Sequence, residues 1–251
     1  MLDSAAIQAT STAAATDHLL DTALDQIYRE VLRSFDVLIV REHDFAARRN
    51  TLAAVRADDW TFRTLPMYDP AYNRLEPHNA FWLQLKGRRG QGLLATLSMR
   101  VWTADDVADL LASNRILEDG SAPARCGSII TWKGAAGPSP LRGNLGWLGG
   151  AWVDPSLRRR RLPALMLAYA QAVLLRNYRV DFSFGLLEHE KRRLLETSYR
   201  FAGVEEGAEL LWQGRQTIPL LLCWNSAADM LRIVEETVAA AGDAAAGEGS
   251  R

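Results

Sequence analysis

Residues 152–166 of this chain read WVDPSLRRRRLPALM, and this stretch decides the fold. An apolar run ends at Val153, the pair Asp154-Pro155 breaks it, and apolar residues at helical spacing begin at Leu162. The pattern therefore predicts a strand, a tight turn and a long helix in direct succession.

Four consecutive arginines, Arg158–Arg161, stand where that helix begins. A helix N-terminus presents unpaired N–H groups and the positive end of the helix dipole, and free cations there cost up to about 1 kcal/mol. A bound anion would remove that cost, and a diphosphate suits both the N–H groups and the guanidinium groups. The stretch therefore predicts an anion site, and a solvated basic turn is the alternative reading.

Two motifs of the chain resemble the GNAT N-acetyltransferase superfamily. Its pyrophosphate-binding turn has the form V-x-P-x-x-[QR]-x-x-G-x-[GA], and Val153, Pro155 and Arg158 match it, whereas Arg161 and Pro163 occupy the two small-residue positions. The segment YRFAGV, residues 199–204, is similar to the Y-x-x-x-G-F segment of the same superfamily. The resemblance covers roughly residues 36–225 and is specific over 144–204.

The resemblance implies a fold, a donor and a set of site residues. The fold is a GNAT-like α/β (α+β) domain: a single mixed, mostly antiparallel sheet flanked by helices, with an extra N-terminal helix and an insertion near 104–142. The implied activity is transfer of an acyl group, acetyl by default, from acetyl-CoA or another acyl-CoA to an amine by direct attack. The implied acyl-CoA-binding residues are Trp152, Val153, Arg158, Arg159, Arg160, Arg161, Pro163, Ala164 and Arg192, the last standing where the superfamily often has an asparagine.

The resemblance also assigns catalytic roles. Tyr199 is the candidate general acid that protonates the leaving thiolate, and ring packing at a helix end is the alternative. The glycine-rich run Gly146–Ala151 matches the strand that offers a backbone N–H to the thioester carbonyl. Glycine inside a strand indicates a bulge or a close ligand, or else a packing kink.

The departures from the motif leave other functions open. Arg161 and Pro163 weaken backbone recognition of a diphosphate, because one adds a side chain and the other removes an N–H donor. A non-catalytic acyl-CoA-binding or interaction domain of the same fold is therefore the main alternative. A longer acyl donor, as in the similar fold of acyl-homoserine-lactone synthases, is a further one, although the N-terminal signature of those enzymes is not evident.

A few other polar residues are weaker candidates for the amine side of the reaction. Three follow a predicted strand and could act as a base or stay solvated: Glu188, His189 and Glu190. Three lie in a proline-rich connection where the superfamily often builds its acceptor site: Tyr68, Asp69 and Tyr72. The tryptophans on predicted strands are expected to fill the core and the sheet faces.

Periodicity and turn residues predict the remaining elements. Helices are expected from Asp17 to Leu32 and over 44–57, 104–113, 162–176, 191–201 and 227–240, the last capped by Ser226. Strands are expected over 36–40, 60–65, 79–85, 92–102, 128–132, 145–153, 180–187, 210–213 and 217–224, with a basic hairpin turn at 86–90 and a loop over 134–143.

Composition limits the classes of partner. The chain has 251 residues, 48% hydrophobic and 24% charged, with a net charge of −1, which is typical of a globular protein and calls for neither nucleic acid nor an anionic membrane. Its two cysteines lack metal-site spacing, so no metal is expected, and a reducing cytoplasmic setting is favoured. A small-molecule or peptide amine is the expected acceptor, while its identity and the oligomeric state stay open.

The chain is expected to form one acyltransferase domain over residues 17–242. Residues 1–16 are rich in Ala, Ser and Thr and are predicted to be a disordered lead-in. Residues 243–251 are rich in Ala and Gly and are predicted to be a disordered tail.

Overall fold

A computed structural model describes residues 4–55, 65–90, 92–133, 141–158, 160–195, 199–212 and 214–248. Within them the α-helices are α1 (Ser4–Phe35), α2 (Phe45–Val55), α3 (Val107–Ala112), α4 (Leu162–Tyr178) and α5 (Ala227–Glu248). The strands are β1 (Val37–Glu42), β2 (Ala80–Gly87), β3 (Leu93–Ala104), β4 (Ile129–Trp132), β5 (Gly143–Val153), β6 (Phe182–Glu188), β7 (Gly203–Trp212) and β8 (Gln216–Ser226).

The strands form one sheet in the order β1-β2-β3-β5-β6-β8-β7-β4. Every neighbouring pair is antiparallel except β5 and β6, which are parallel. This mixed, mostly antiparallel sheet flanked by helices confirms the expected fold class. The inserted segment near 104–142 contributes α3 and β4, and β4 pairs with β7 at the sheet edge.

Alternating side chains divide the core between the two faces of the sheet. On the face that we call the three-helix face, α1, α4 and α5 pack through residues such as Ile27, Leu165 and Ile233 against Leu83 and Leu97. The opposite face, called the two-helix face, is covered by α2 and α3 together with the loops around them. Its core is rich in aromatic side chains, namely Phe45, Tyr68, Trp82, Trp102, Trp147 and Phe184.

The parallel pair β5–β6 is short, and this positions the functional site. Its paired positions among the described residues run only from Leu145 with Phe182 to Trp147 with Phe184. Beyond Trp147 and Phe184 the two strands no longer pair with each other, so an opening forms in the middle of the sheet.

Most predicted elements are confirmed with shifted ends. The hairpin of β2 and β3, the succession of β5, turn and α4, and the cap of α5 lie where the sequence puts them. Ser226 Oγ accepts from Asp229 N at 3.2 Å, and Ser226 N donates to Asp229 Oδ2 at 3.1 Å. The tryptophans of the strands fill the core as expected, with Trp82, Trp102 and Trp147 buried.

Three predicted boundaries are wrong. Helix α1 begins at Ser4 rather than Asp17, because six of the thirteen residues over 4–16 are alanine, the strongest helix former. Helix α5 likewise continues past Ala240 to Glu248. Strand β7 begins at Gly203 rather than Leu210. Its first half was not predicted because it is rich in glutamate and glycine, which are poor strand formers.

Some predictions fall on residues outside the described part of the chain. The expected strand over 60–65 lies there except for Leu65, and so does most of the loop over 134–143. The helix expected over 191–201 is partly outside it as well. Among its described residues, Lys191 ends a short 3-10 turn, His189–Lys191, and residues 193–195 and 199 are helical.

Candidate active site

A pocket of about 230 Å³ occupies the opening between β5 and β6. Its walls include Leu148–Ala151 of β5 and Gly185–Glu188 of β6. Leu97 and Leu167 line it from the three-helix face, whereas other lining residues belong to the core of the two-helix face, namely Met67, Ile130 and Trp147. The pocket therefore reaches both faces of the sheet, and two ligands could meet in it from opposite sides.

A β-bulge shapes the β5 wall of this pocket. The register with β3 shifts between Thr96 and Ser98, which pair with Trp152 and Gly149. Gly150, inside the bulge, has φ +59°, a left-handed conformation that favours glycine. Every residue of the predicted run Gly146–Ala151 except Gly146 lines the pocket. A Cβ on Gly146 would lie 3.0 Å from Leu174 Cδ1, so that glycine serves packing.

Tyr199 lies on the pocket wall, as a general acid would have to. Its ring packs at 6.3 Å from that of Phe201, and burial raises the pKa of its phenol, which therefore stays protonated at neutral pH. Gly203 is the last residue of the Tyr-x-x-x-Gly motif. Glycine is required there because a Cβ would clash with the Trp224 ring. The segment thus combines a proton donor at the pocket with close packing behind it.

The basic turn lies next to the pocket rather than in its wall. Arg158 Nε donates to Val153 O at 2.9 Å, Arg160 stacks 4.6 Å from the Phe35 ring, and Arg161 forms an ion pair with Glu30 at 3.9 Å. Pro163 and Ala164 form the first turn of α4, and Leu167, one turn after Pro163, lines the pocket. Arg159 lies outside the described residues.

The side chains of two predicted acyl-CoA-binding residues are not part of the pocket lining and make other contacts. Trp152 is buried in a small cluster with Leu52 and Leu93. Arg192 forms an ion pair at 2.9 Å with Glu206 of β7. The structure therefore brings together Val153, Arg158, Arg160 and Arg161, but it places Trp152 and Arg192 elsewhere.

Among the weaker candidates, one carboxylate reaches the pocket. Glu188 lines its wall and accepts a hydrogen bond from Lys191 Nζ at 2.9 Å. His189 faces Glu206 at 3.5 Å, and Glu190 is exposed. Glu188 is thus the acid/base candidate that geometry favours.

The residues of the proline-rich connection serve mostly structural roles. Asp69 accepts from Ala71 N at 2.9 Å, as turn aspartates do, and pairs with Arg49 at 3.6 Å. Tyr68 is fully buried and donates to Ser98 O at 2.8 Å beneath the bulge. Its neighbour Met67 is the one that lines the pocket.

Sequence reasoning missed Arg48, a buried arginine of α2 that is 2% exposed. Its Nε and Nη1 have no hydrogen-bond partner among the described residues, and burial lowers the pKa of its guanidinium to about 10. The spacing along the sequence indicates that Arg48 is buried, because Phe45, Arg48 and Leu52 stand at i, i+3 and i+7 on one face of α2.

The described residues offer neither a group of metal ligands nor a membrane-spanning helix. No cluster of three or more His, Cys, Asp or Glu suited to a metal occurs in the described part of the chain. None of the helices there is both long and apolar enough to cross a bilayer. Both cysteines, Cys126 and Cys223, are buried and unpaired.

Comparison with known proteins gives similarity of fold alone. No protein-family model and no curated protein matches the chain. Among similar solved structures, NAA60 of Arabidopsis thaliana in complex with acetyl-CoA is 10% identical with a TM-score of 0.48, over 75% of this chain and 99% of that one. An acetyltransferase of the GNAT family from Streptococcus pneumoniae is also 10% identical, with a TM-score of 0.40, over 76% and 99%.

A third similar structure is FeeM, an N-acyl amino acid synthase from uncultured soil microbes. It is 15% identical with a TM-score of 0.39, and the match covers 77% of this chain and 93% of FeeM.

Proposed function

We propose that this chain is an acyl-CoA-dependent N-acyltransferase that moves an acyl group, with acetyl as the default, to an amine. The observation that carries the proposal is the pocket between β5 and β6. It combines a β5 backbone that has no partner in β3 at Gly150 and Ala151, and none in β6 beyond Trp147, with a protonated phenol, Tyr199. Those are the two kinds of donor that transfer from a thioester requires: one for the carbonyl oxygen and one for the leaving sulfur.

The basic turn and the start of α4 fit the diphosphate of coenzyme A. N–H groups of the first turn lack partners within the helix, although Pro163 contributes none. Arg158 and Arg160 are exposed, and the ion pair of Arg161 with Glu30 is long at 3.9 Å, so these guanidinium groups can turn toward phosphate oxygens. Leu167 connects this turn to the pocket, which suits a ligand with its diphosphate outside and its thioester inside.

Each group in the pocket would then have its own role in the reaction. N–H groups of the Gly149–Ala151 backbone polarise the thioester carbonyl while the amine nitrogen attacks its carbon. As the C–N bond forms and the C–S bond breaks, Tyr199 gives its proton to the sulfur. Glu188 is the group placed to accept the proton that the amine loses. Arg192 has no part in this scheme, because its guanidinium pairs with Glu206.

Calorimetric titration of the full chain with acetyl-CoA tests donor binding. We expect Arg158→Ala and Arg161→Ala to weaken binding, and more so at low salt, where charge interactions are least screened. Arg89→Ala, a change of a guanidinium that is 84% exposed in the β2–β3 turn, is the matched control and should bind as the wild type does. The absence of both heat and a melting shift at millimolar acetyl-CoA would overturn the proposal.

A second candidate function is a non-catalytic acyl-CoA-binding domain. It is favoured by the contacts that Arg160 and Arg161 already make with α1, and by the arginine and proline at the two small-residue positions of the turn. Release of free thiol in the presence of an amine separates the two candidates. A binding domain would take up acetyl-CoA without releasing thiol, whichever amine is supplied.

The apolar side of the pocket bears on the length of the acyl group. Its walls there are formed by side chains from β4, β7 and β8, namely Ile130, Leu210, Trp212, Ile218 and Leu220. A cavity of about 230 Å³ is many times the roughly 10–15 Å³ that a single water needs, so it has more room than an acetyl group fills. Octanoyl-CoA therefore belongs beside acetyl-CoA in the titrations, and tighter binding of octanoyl-CoA would assign a longer donor.

A further inference from the structure

Hydrogen-bond donors without acceptors collect on the two-helix face beside the bulge of β5. Arg48 contributes Nε and Nη1, and Trp147 contributes its indole Nε1; none of these buried atoms has a partner among the described residues. Buried polar atoms are nearly always paired in folded proteins, so a local excess of donors indicates a missing acceptor.

Arg100 is a second buried arginine on this face, and its hydrogen-bond partners can be compared with those of Arg48. Arg100, also 2% exposed, donates to Asp119 Oδ2 at 2.6 Å and to Asn73 Oδ1 at 2.6 Å. Arg48 has no carboxylate beside it in the described part of the chain, only the Tyr68 ring 5.3 Å from its Cζ. An unpaired buried charge costs the folded state several kcal/mol unless something compensates it. The same sheet face thus holds one compensated guanidinium and one that lacks a counter-charge.

The two side chains that carry these donors pack against the pocket wall. A Cβ on Gly150 would be 2.7 Å from Nη2 of the Arg48 guanidinium, and a Cβ on Gly149 would run into Trp147 Nε1 and lie 3.1 Å from Tyr68 Oη. Both glycines line the pocket. Because neither has a side chain, only backbone stands at this point of the wall, and the donors can reach a ligand there.

We propose that Arg48, together with the indole N–H of Trp147, forms a subsite for a carboxylate of the acceptor. The acceptor is then an α-amino acid, or another amine with a carboxylate close to its nitrogen. This inference rests on the proposed function and names the substrate class of that same site. A carboxylate matches the guanidinium fork and supplies the missing negative charge.

The position of the subsite separates it from the donor's phosphates. The start of α4, with its basic turn, packs on the three-helix face through Leu162 and Leu165. Arg48 and Trp147 lie on the other face, beside Phe45 and Tyr68. The diphosphate and the acceptor carboxylate would therefore be held on opposite faces of the sheet, with the thioester and the amine meeting in the opening between β5 and β6.

Three acceptors that differ only in the carboxylate test the subsite: L-leucine, L-leucinamide and isoamylamine, each assayed with acetyl-CoA and octanoyl-CoA. We expect wild-type kcat/KM to favour L-leucine over the other two by about 100-fold or more, and Arg48→Gln to remove most of that preference. Arg49→Gln, which changes a neighbouring guanidinium that is 52% exposed, should leave the preference intact. Equal use of the three amines by the wild type would overturn the subsite. So would an equal loss for all three in Arg48→Gln, which would instead place this guanidinium at the thioester carbonyl.

A binding measurement keeps the subsite testable if no acyl transfer is found. Calorimetry compares N-acetyl-L-leucine with N-acetyl-L-leucinamide on the wild type and on Arg48→Gln. Selective binding of the acid by the wild type alone supports the subsite even if the transferase function fails. Failure to distinguish acid from amide rejects it. Removal of an unpaired buried charge should leave the ligand-free melting temperature unchanged or higher, and a large fall would show that Arg48 is structural.

Discussion

At the scale of single residues, Tyr199 is the most direct test of the chemistry. Tyr199→Phe keeps the ring that packs against Phe201 and removes the proton that the sulfur needs. We expect thiol release with a competent amine to fall by roughly 10²–10⁴-fold while the affinity for acyl-CoA stays nearly fixed. Steady-state assays paired with calorimetry measure the two quantities separately.

The control for this variant and its pH profile sharpen the result. Tyr178→Phe removes a hydroxyl that donates to Pro77 O away from the pocket, and it should leave the rate unchanged. Burial raises the pKa of Tyr199 above its ordinary value of 10.0, so the acid form persists through neutral and mildly alkaline pH. Loss of rate from its ionisation is expected only above pH 10. Unchanged turnover in Tyr199→Phe would remove this residue from the mechanism.

The pair Arg100–Asp119 offers a stability test on the same face of the sheet. Asp119→Ala leaves a guanidinium that is 2% exposed without its carboxylate, and we expect a loss of about 3 kcal/mol, since breaking a buried pair costs roughly 3–5 kcal/mol. The low end applies because the Asp119 side chain is 21% exposed. Urea unfolding measures the change.

The pH dependence of that loss has a definite sign. Burial alone would raise the pKa of Asp119, but the hydrogen bonds from Ser121 and the charge of Arg100 outweigh it, so the pKa is lowered below 3.8. The carboxylate therefore stabilises the fold above the unfolded-state pKa and loses this effect as the pH falls through the lower folded-state value. The deficit of the variant should be full at pH 7 and shrink below about pH 3.8. Asp25→Ala, which removes an exposed helical pair, should cost only about 0.3–0.5 kcal/mol at pH 7.

At the scale of secondary-structure elements, the bulge of β5 is the feature on which the site depends. Gly150→Ala places a Cβ on a residue with φ +59° and sets that atom 2.7 Å from Arg48 Nη2. The left-handed conformation alone costs about 1–2 kcal/mol for a residue other than glycine. We expect a loss of stability of that size in urea unfolding, together with weaker binding of N-acetyl-L-leucine.

The matched control is another glycine without either constraint. Gly92 has ordinary φ, and a Cβ there would meet nothing within 4 Å, so Gly92→Ala should change stability by no more than about 0.5 kcal/mol. If Gly150→Ala changed the free energy of unfolding as little as Gly92→Ala, residue 150 would not require glycine.

Sequence patterns predicted the elements that have local signals. The basic turn between β2 and β3, the break at Asp154-Pro155 and the Ser226 cap each depend on residues a few positions apart. Local chemistry was sufficient in each of these cases. Tyr199, by contrast, was taken from the resemblance of residues 199–204 to the Y-x-x-x-G-F segment, and it lines the pocket.

The remainder of the site depends on contacts that no short motif records. Arg48 and Trp147 are far apart in the sequence, and the sheet order and the bulge bring both to the Gly149–Gly150 wall. Arg192 was taken from the resemblance, and in the folded chain its guanidinium pairs with Glu206, a contact that the motif does not record. Long-range register decides both outcomes, and it cannot be deduced from spacing along one chain.

At the scale of the whole molecule, the proposed function would assign the two faces of the sheet to the two ligands. The N-terminus of α4 offers positive charge on the three-helix face, and Arg48 offers it on the other face. The only parallel pair among the described strands, β5–β6, joins the two sides because its strands part after three paired positions. A mostly antiparallel sheet can thus hold two anionic ligands apart while their reacting groups meet inside it.

The two terminal segments of the chain are expected to be dispensable for folding. Helix α1 begins at Ser4, but residues 13–15 are exposed, and the first buried residue among those whose side chains are described is Leu20. Deletion of residues 1–14 and 243–251 should therefore leave the melting temperature nearly unchanged, since little apolar surface is lost.

A longer deletion provides the contrast. Removal of residues 1–24 takes away Leu20 and Ala23, which pack with Ala172 of α4 and Val234 of α5, and also Asp17, which pairs with Arg179. Because emptying such a site costs a few kcal/mol, we expect the melting temperature to fall by about 10 °C or more in calorimetric scans. A comparable fall after the short deletion would show that one terminal segment docks on the domain, and the domain would then extend beyond residues 17–242.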